Sequence, residues 1–166
     1  AVPNSFNIMT LMGKASNVGT EPGWTLDDVM ALARKNPDAQ LMQYVTKEQA
    51  LSMCIQYNND SFIDYNTGTC NFNGSEFVKV LEFANEFPDE YNYDEDRSFP
   101  AMIQSGEVLL ADLYLYDVTE YQMHRLMFEE EATAIGYPTS DGTPGVFISG
   151  QDMCGISATS DCKEGA

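Results

Sequence analysis

Two tyrosines and an aspartate at the end of one apolar segment offer the clearest chemistry in the sequence. Tyr114 and Tyr116 close a run from Val108 that is apolar enough to be a central strand, and Asp117 follows at once. Alternation along a strand sends both tyrosines to one face of the sheet. Because open α/β sheets bind ligands where strands end and helices begin, all three residues are candidate ligand contacts. The alternative is that both tyrosines are structural, with hydroxyls satisfied inside the core.

Other reactive residue types lack the partners that their chemistry needs. His124, the only histidine, lies in a predicted helix, so a triad would need Ser or Cys to converge on it. With 26 acidic side chains some carboxylate pair is inevitable, and a pair alone does not indicate a glycosidase. The glycines match no phosphate loop, and the cysteines have no metal-site spacing. We therefore predict no catalytic residue, no metal and no cofactor.

Short polar patterns predict turns and helix starts rather than ion sites. The segment from Asp64 to Gly68 opens like a calcium loop, but Ser75 stands where the last ligand should be, which favours a turn. Trp24 precedes a helix start and is interpreted as a packing residue rather than a sugar platform. Capping boxes are expected at Thr25/Asp28, Thr46/Gln49 and Asp117/Glu120.

Helical and strand-like segments alternate along the chain, which predicts an α/β domain. Strands are expected at Val2 to Leu11, Leu41 to Val45, Val108 to Tyr116, Ala134 to Tyr137, Val146 to Ser149 and Cys154 to Ser157. Helices are expected after Thr25, after Thr46, after a Ser75 cap, from Phe99 to Gln104, and after Asp117. The helix after Ser75 is expected to bury Val78 and Leu81. The helix after Asp117 is expected to bury Tyr121, Leu126 and Met127 or Phe128. Asn58 to Asn73 reads as a loop. Without repeats or linkers, residues 1–166 form one compact unit.

Composition excludes several classes of partner. The 166 residues suit one domain of roughly 100 to 200 residues, and the 43% hydrophobic content provides a core. The formal charge is −18, and the eight Lys and Arg are scattered, which excludes nucleic acid. No apolar run approaches the length of a membrane span. Residues 89–96 are interpreted as a solvated acidic loop. Cys54, Cys70, Cys154 and Cys162 allow three pairings, and buried thiols fit equally well.

Five short motifs follow one another at residues 1–6, 23–28, 72–77, 103–110, and the pair 135–138 and 154–158. In this order they resemble the family 1 extracellular solute-binding proteins of ABC importers, which include maltose- and oligosaccharide-binding lipoproteins. The resemblance implies a three-layer-like lobe of the type II periplasmic-binding-protein fold, with a mixed sheet flanked by helices. Family members are about twice this length or more, so the chain is expected to be the second lobe only.

The resemblance also implies where the ligand lies. The sugar-stacking aromatic of the family falls on Tyr114 or Tyr116, its polar contacts at a helix start on Thr46, Lys47 and Gln49, and those on the hinge-side strand on Ser5 and Asn7. Tyr stands where Trp would be the stronger platform, so the sugar is left open.

Three functions are therefore weighed. The first is a non-enzymatic, carbohydrate-binding lobe that works with permease subunits and the missing first lobe, outside the cytoplasm and anchored as a lipoprotein in the full-length protein. The second is a glycan hydrolase using two carboxylates. The third is an acidic surface-interaction module without a small ligand.

Overall fold

The computed structural model describes residues 2–91, 97–159 and 161. Their strands are β1 (Val2–Lys14), β2 (Gln40–Met42), β3 (Ile63–Asp64), β4 (Thr69–Cys70), β5 (Val108–Leu115), β6 (Ala132–Ala134) and β7 (Phe147–Cys154). Their helices are α1 (Ala15–Val18), α2 (Leu26–Lys35), α3 (Lys47–Tyr57), α4 (Asn59–Phe62), α5 (Ser75–Asn85), α6 (Phe99–Ser105) and α7 (Val118–Leu126). None of these helices combines the length and apolar character needed to cross a bilayer.

The main sheet is mixed and has β5 and β1 at its centre, in the order β2–β5–β1–β6. β2 runs parallel to β5, whereas β5, β6 and β7 are all antiparallel to β1. β7 and β6 share the edge of β1 opposite β5, since β5 and β7 both pair with Ile8 and Met9. The prediction of Val108 onward as a central strand is confirmed.

Apolar side chains form a core on each face of this sheet. One core joins Leu11 and Leu110 to the buried faces of α2, α3 and α5. The other joins Met12 and Leu113 to α6 and to Phe128, just after α7. The expected mixed sheet flanked by helices is therefore confirmed.

Local capping decides where the helices begin. The capping boxes at Thr25 and Thr46 are both present, with side chain and backbone bonded reciprocally. Asp117 accepts from the backbone N–H of Glu120 at 2.9 Å, but the Glu120 carboxylate bonds the N–H of Tyr116 instead of closing the box. Ser75 is not a cap, because α5 begins at Ser75 and Gly74 occupies the cap position.

Several predicted boundaries and burials are wrong. β2 ends at Met42 rather than residue 45, because Tyr44 has a φ of 60° and leaves the extended conformation. The loop expected after Asn58 contains α4 and the β3–β4 hairpin. Residues 155–157 are not a strand, and residue 154 instead ends one continuous strand, β7. Exposed side chains replace the expected buried ones at Val78, Leu81 and Leu126.

β1 and β7 continue past the sheet as a two-stranded ribbon. Ile8 is the first β1 residue paired with β5, so Val2–Asn7 are flanked by β7 alone. The pairing runs out to Val2 opposite Cys154. Phe6 is 57% exposed and Val2 is 69% exposed, so the ribbon stands clear of both cores except at its base, where Asn7 is buried.

Candidate functional site

One sheet face near the base of the ribbon gathers aromatic and polar side chains in rows. Met9 of β1 lies opposite Tyr114 of β5 and Phe147 of β7, and directly opposed residues share a face. The same parity puts Asp112, opposite Leu11, and Asn7 on that face. We call Asp112, Tyr114, Phe147, Tyr57 and Tyr137 the aromatic face.

Tyr137 connects this face to α3. Its hydroxyl donates to Oδ1 of Asp112, and its ring stacks on Tyr57 with centroids 3.8 Å apart and planes 11° from parallel. Phe147 meets Tyr57 edge-on, with centroids 6.4 Å apart.

A backbone turn aims Tyr137 inward. The chain leaves β6 through Gly136, whose φ of +87° favours glycine, and Tyr137 then forms a bridge with Gly145. A Cβ on Gly136 would lie 2.9 Å from the backbone nitrogen of Gly145, so the close approach also requires glycine. Tyr137 is thereby held at 1% exposure.

Burial raises the pKa of the acidic groups in this network. Desolvation raises the pKa of the Asp112 carboxyl, although the hydrogen bond from Tyr137 acts in the opposite direction. Burial also raises the pKa of Tyr57 to about 12. The pKa of Tyr137 rises for the same reason, reinforced by the charge of Asp112 and by the hydrogen bond to it. The hydroxyls of Tyr57 and Tyr137 therefore stay protonated at neutral pH, whereas Asp112 takes up a proton more readily than an exposed carboxylate does.

The outer part of the face remains accessible. Tyr114 is 49% exposed and Phe147 is 39% exposed, whereas Asp112 is half-buried beneath them. Exposed aromatic surface beside a carboxylate suits a ligand that has apolar faces and hydroxyl groups, because rings cover the former and the carboxylate accepts from the latter.

Two residues predicted on the hinge-side strand share this face. Asn7 is only 4% exposed, and among the described residues its Oδ1 has no hydrogen-bond partner. Buried polar atoms are normally paired, so this oxygen supports keeping Asn7 among the candidate ligand contacts. Ser5 lies further out on the ribbon and donates to Asp152 at 3.1 Å.

The other predicted contacts have different surroundings. Thr46 and Gln49 bond each other in the capping box, and Lys47 forms an ion pair with Asp89 at 3.2 Å. Tyr116 follows the end of β5 and is 61% exposed, and Asp117 caps α7. Residues 92–96 of the expected acidic loop lie outside the described residues.

Sequence reasoning missed most of the aromatic face. Asp112 carried a usable signal, because a carboxylate inside an apolar central strand needs a partner or a role. Tyr57 and Tyr137 are not among the predicted site residues, because their contact joins residues that are 80 positions apart in the chain.

Several other predictions can be placed. Trp24 is a packing residue, as expected: it is 6% exposed and its indole donates to the carbonyl of Gly136 at 2.8 Å. Asp64 caps a turn through the N–H groups of Asn66 and Thr67, as predicted. No cluster able to hold a metal ion occurs among residues 2–91, 97–159 and 161.

The described cysteines carry free thiols. Cys54 is buried, and Cys70 and Cys154 are exposed. Any pairing that bridges all four cysteines joins two of these three residues, and all three are free, which agrees with the alternative of free thiols. Cys162 lies outside the described residues.

Comparison with known proteins identifies the fold. No family model and no curated protein matches the sequence. A sugar transporter of Arthrobacter chlorophenolicus, solved with laminaribiose, gives a TM-score of 0.53 at 13% identity, over 90% of this chain and 41% of that one. The sugar-binding protein MalE of the phytopathogen Xanthomonas citri gives 0.53 at 14% identity, over 87% and 42%. The cyclic α-maltosyl-1,6-maltose binding protein of Arthrobacter globiformis gives 0.50 at 16% identity, over 90% and 41%.

These similarities confirm the expected periplasmic-binding-protein fold. The chain spans about two fifths of the length of the solved structures that it matches.

Proposed function

We propose that this chain is the second lobe of an extracytoplasmic solute-binding protein that delivers a carbohydrate to an ABC importer. The observation that carries the proposal is the aromatic face: half-exposed Tyr114 and Phe147 beside a half-buried Asp112, at the base of the ribbon. The fold supports it, since the chain shares that fold with sugar-binding proteins.

At this face, aromatic rings would contact the ligand through apolar surface and polar groups would form hydrogen bonds with it. Tyr114 and Phe147 cover the apolar side of a sugar ring, while Asp112 accepts a hydrogen bond from a sugar hydroxyl. The hydroxyl of Tyr137 and the stacked ring of Tyr57 hold that carboxylate in place before the ligand arrives. Ser5, Asn7, Tyr116, Asp117, Thr46, Lys47 and Gln49 remain candidates for further contacts.

A second lobe would supply the other half of the burial. We infer that the ribbon joins this lobe to a first one and that the ligand lies between them, so that this lobe alone binds weakly. Closure around the ligand would then shift the population towards the form recognised by the permease. Lipoprotein anchoring of the longer polypeptide is part of the same proposal. Binding and release need no catalytic step, so the chain is proposed to be non-enzymatic.

Titration of the isotope-labelled 166-residue chain with maltose and with laminaribiose, followed by backbone amide NMR, tests the carbohydrate-binding part. We expect weak, saturable shifts near Asp112, Tyr114 and Phe147. Tyr114→Ala should weaken binding by about two- to tenfold, the size of one aromatic contact. Tyr65→Ala is the matched control, because Tyr65 is 68% exposed and lies in the turn between β3 and β4, outside the aromatic face.

Two results would count against the proposal. If neither sugar shifts these amides, and a longer polypeptide carrying this chain gives no heat with any oligosaccharide, carbohydrate is the wrong ligand. If Tyr114→Ala and Tyr65→Ala behave alike, the sugar binds elsewhere.

A further inference from the structure

A polar depression lies next to the aromatic face and shares Tyr57 with it. Its volume is about 390 Å³, and its lining is hydroxyl, amide and carboxylate side chains beside one aromatic ring. The lining residues are Gln56, Tyr57, Asn58, Asn59, Asp60, Ser61, Thr139, Ser140, Asp141 and Thr143.

Buried Asn58 fixes the two walls of this depression to each other. Its side-chain amide donates to the carbonyls of Cys54 at 3.0 Å and Pro138 at 3.2 Å. Its Oδ1 accepts from the N–H of Ser140 at 2.9 Å. With Asn58 only 6% exposed, these bonds tie the end of α3 to the loop after Tyr137, and the depression is preformed.

Asp141 organises the second wall and sets its charge. Its Oδ1 accepts from the hydroxyls of Thr139 at 3.0 Å and Thr143 at 2.7 Å. These bonds lower the pKa of Asp141, and the bond from Thr143 contributes most. Asp141 is therefore ionised at neutral pH. The described residues of the lining include a second carboxylate, Asp60, and no basic side chain. Such a surface favours uncharged polyhydroxyl ligands over anionic ones.

Tyr57 makes the depression continuous with the aromatic face. The ring that lines the depression also stacks on Tyr137 and meets Phe147 edge-on. Two other depressions of about 490 Å³, one beside Trp24 and one beside Gln122, share no lining residue with that face.

We propose that this depression is a second carbohydrate subsite, which takes the further units of an uncharged oligosaccharide whose first unit lies on Tyr114 and Phe147. The inference rests on the proposed function, because it needs a sugar on the aromatic face. Tyr57 borders both subsites.

Chain-length dependence tests the proposal on the 166-residue chain. Maltose and maltotetraose are compared by amide NMR, as are laminaribiose and laminaritetraose. The preferred tetrasaccharide should bind about fivefold more tightly than its disaccharide, the value of one added hydrogen bond. It should also shift the amides of Asn59, Ser61 and Ser140, which the disaccharide leaves unchanged.

A matched pair of variants locates the effect. Gln56→Ala removes an exposed amide from the rim, and Gln122→Ala removes an exposed amide from the rim of the depression beside α7. Gln56→Ala should reduce the advantage of the tetrasaccharide and leave disaccharide affinity unchanged, whereas Gln122→Ala should change neither. Tetragalacturonate should leave the amides of the depression unshifted.

The failures are distinguishable. Disaccharide and tetrasaccharide binding that is equal in affinity and dependent on Tyr114 would overturn the second subsite and leave the proposed function intact. Shifts in the depression that survive Tyr114→Ala unchanged would overturn the continuous site. If no sugar shifts either region, both proposals are wrong.

Discussion

Replacing Tyr137 by Phe isolates one hydrogen bond of the aromatic face. The substitution keeps the ring that stacks on Tyr57 and removes only the hydroxyl that donates to Asp112. Because Tyr137 is 1% exposed and Asp112 is half-buried, solvent replaces the lost donor poorly.

The size of the effect depends on the charge of Asp112. A hydrogen bond to an ionised group is worth about 1.5–3 kcal/mol, and a neutral one about 0.5–1.5 kcal/mol. Burial already raises the pKa of Asp112 in the folded chain, and loss of the Tyr137 donor raises it further. Above this pKa the folded variant carries an ionised carboxylate without its donor, so the full cost applies. Below it the carboxyl is protonated in both proteins, and the cost falls towards the neutral value.

Urea unfolding of the wild type and Tyr137→Phe measures this cost. The series runs from pH 8 down to pH 4.5, above the sequence pI of about 4.1, so that the chain stays negatively charged. We expect the loss in unfolding free energy to be largest at pH 8 and to shrink as pH falls through the pKa of Asp112. In an Asp112→Asn background the same substitution should have a pH-independent effect.

If Tyr137→Phe lowers the free energy of unfolding at pH 8 by less than about 0.5 kcal/mol, the hydrogen bond to Asp112 is worth less than a single neutral one and this reasoning is refuted. A loss that grows as pH falls would mean that the sign of the Asp112 shift is wrong.

Three further predictions concern stability and reactivity. Asn58→Ala removes three side-chain hydrogen bonds, one to Cys54 in α3 and two to the loop after Tyr137, and should lower the free energy of unfolding by about 2–3 kcal/mol in urea; a loss under 1 kcal/mol would contradict the role of Asn58 in joining these two segments. Gly136→Ala forces a side chain into a left-handed φ of +87° with a backbone nitrogen 2.9 Å away, and should cost roughly 1–3 kcal/mol in the same assay; a neutral result would mean that the turn relaxes. Burial raises the pKa of the Cys54 thiol to about 12, so at pH 8 it stays protonated and should react with a disulfide reagent only after unfolding, whereas exposed Cys70 and Cys154 react in the native protein; peptide mass mapping that finds Cys54 modified in the native chain would contradict its burial.

Features set by neighbouring residues could be predicted from the sequence. The capping boxes at Thr25 and Thr46 depend on residues three positions apart, and both are present. Gly106 ends α6 in the left-handed conformation for an equally local reason. The alternation that puts Tyr114 on the aromatic face depends only on its position within β5.

Features that depend on pairing between distant residues could not be predicted from the sequence. One continuous strand, β7, replaces the two short strands expected near the end of the chain, because β1 supplies hydrogen-bond partners all the way from Met9 to Val2. Leu126 has the spacing of a buried residue, but α7 ends there and Phe128 fills the core instead. Sheet register and helix ends decide such positions, and neither can be read from hydrophobic periodicity.

The candidate site likewise contains residues that the local sequence predicts and residues that depend on distant contacts. Tyr114 follows from its place near the end of a strand, whereas the partner of Asp112 lies 25 residues away in the chain. The apolar neighbours of Asp112 in the sequence indicate that it needs a partner, but they do not indicate which residue that partner is. The site residues named from the family resemblance stay predictions until ligand binding is measured.

The length of the β1–β7 ribbon would make it a lever if it rotated about its base. Six residues of β1, Val2–Asn7, extend past the last pairing with β5, which is a reach of about 20 Å at 3.4 Å per residue. A rotation of about 10° at the base would carry the tip through roughly 3.5 Å over that length. The base lies beside Tyr114 and Phe147, so a small change in how these rings pack would be amplified at the far end of the ribbon.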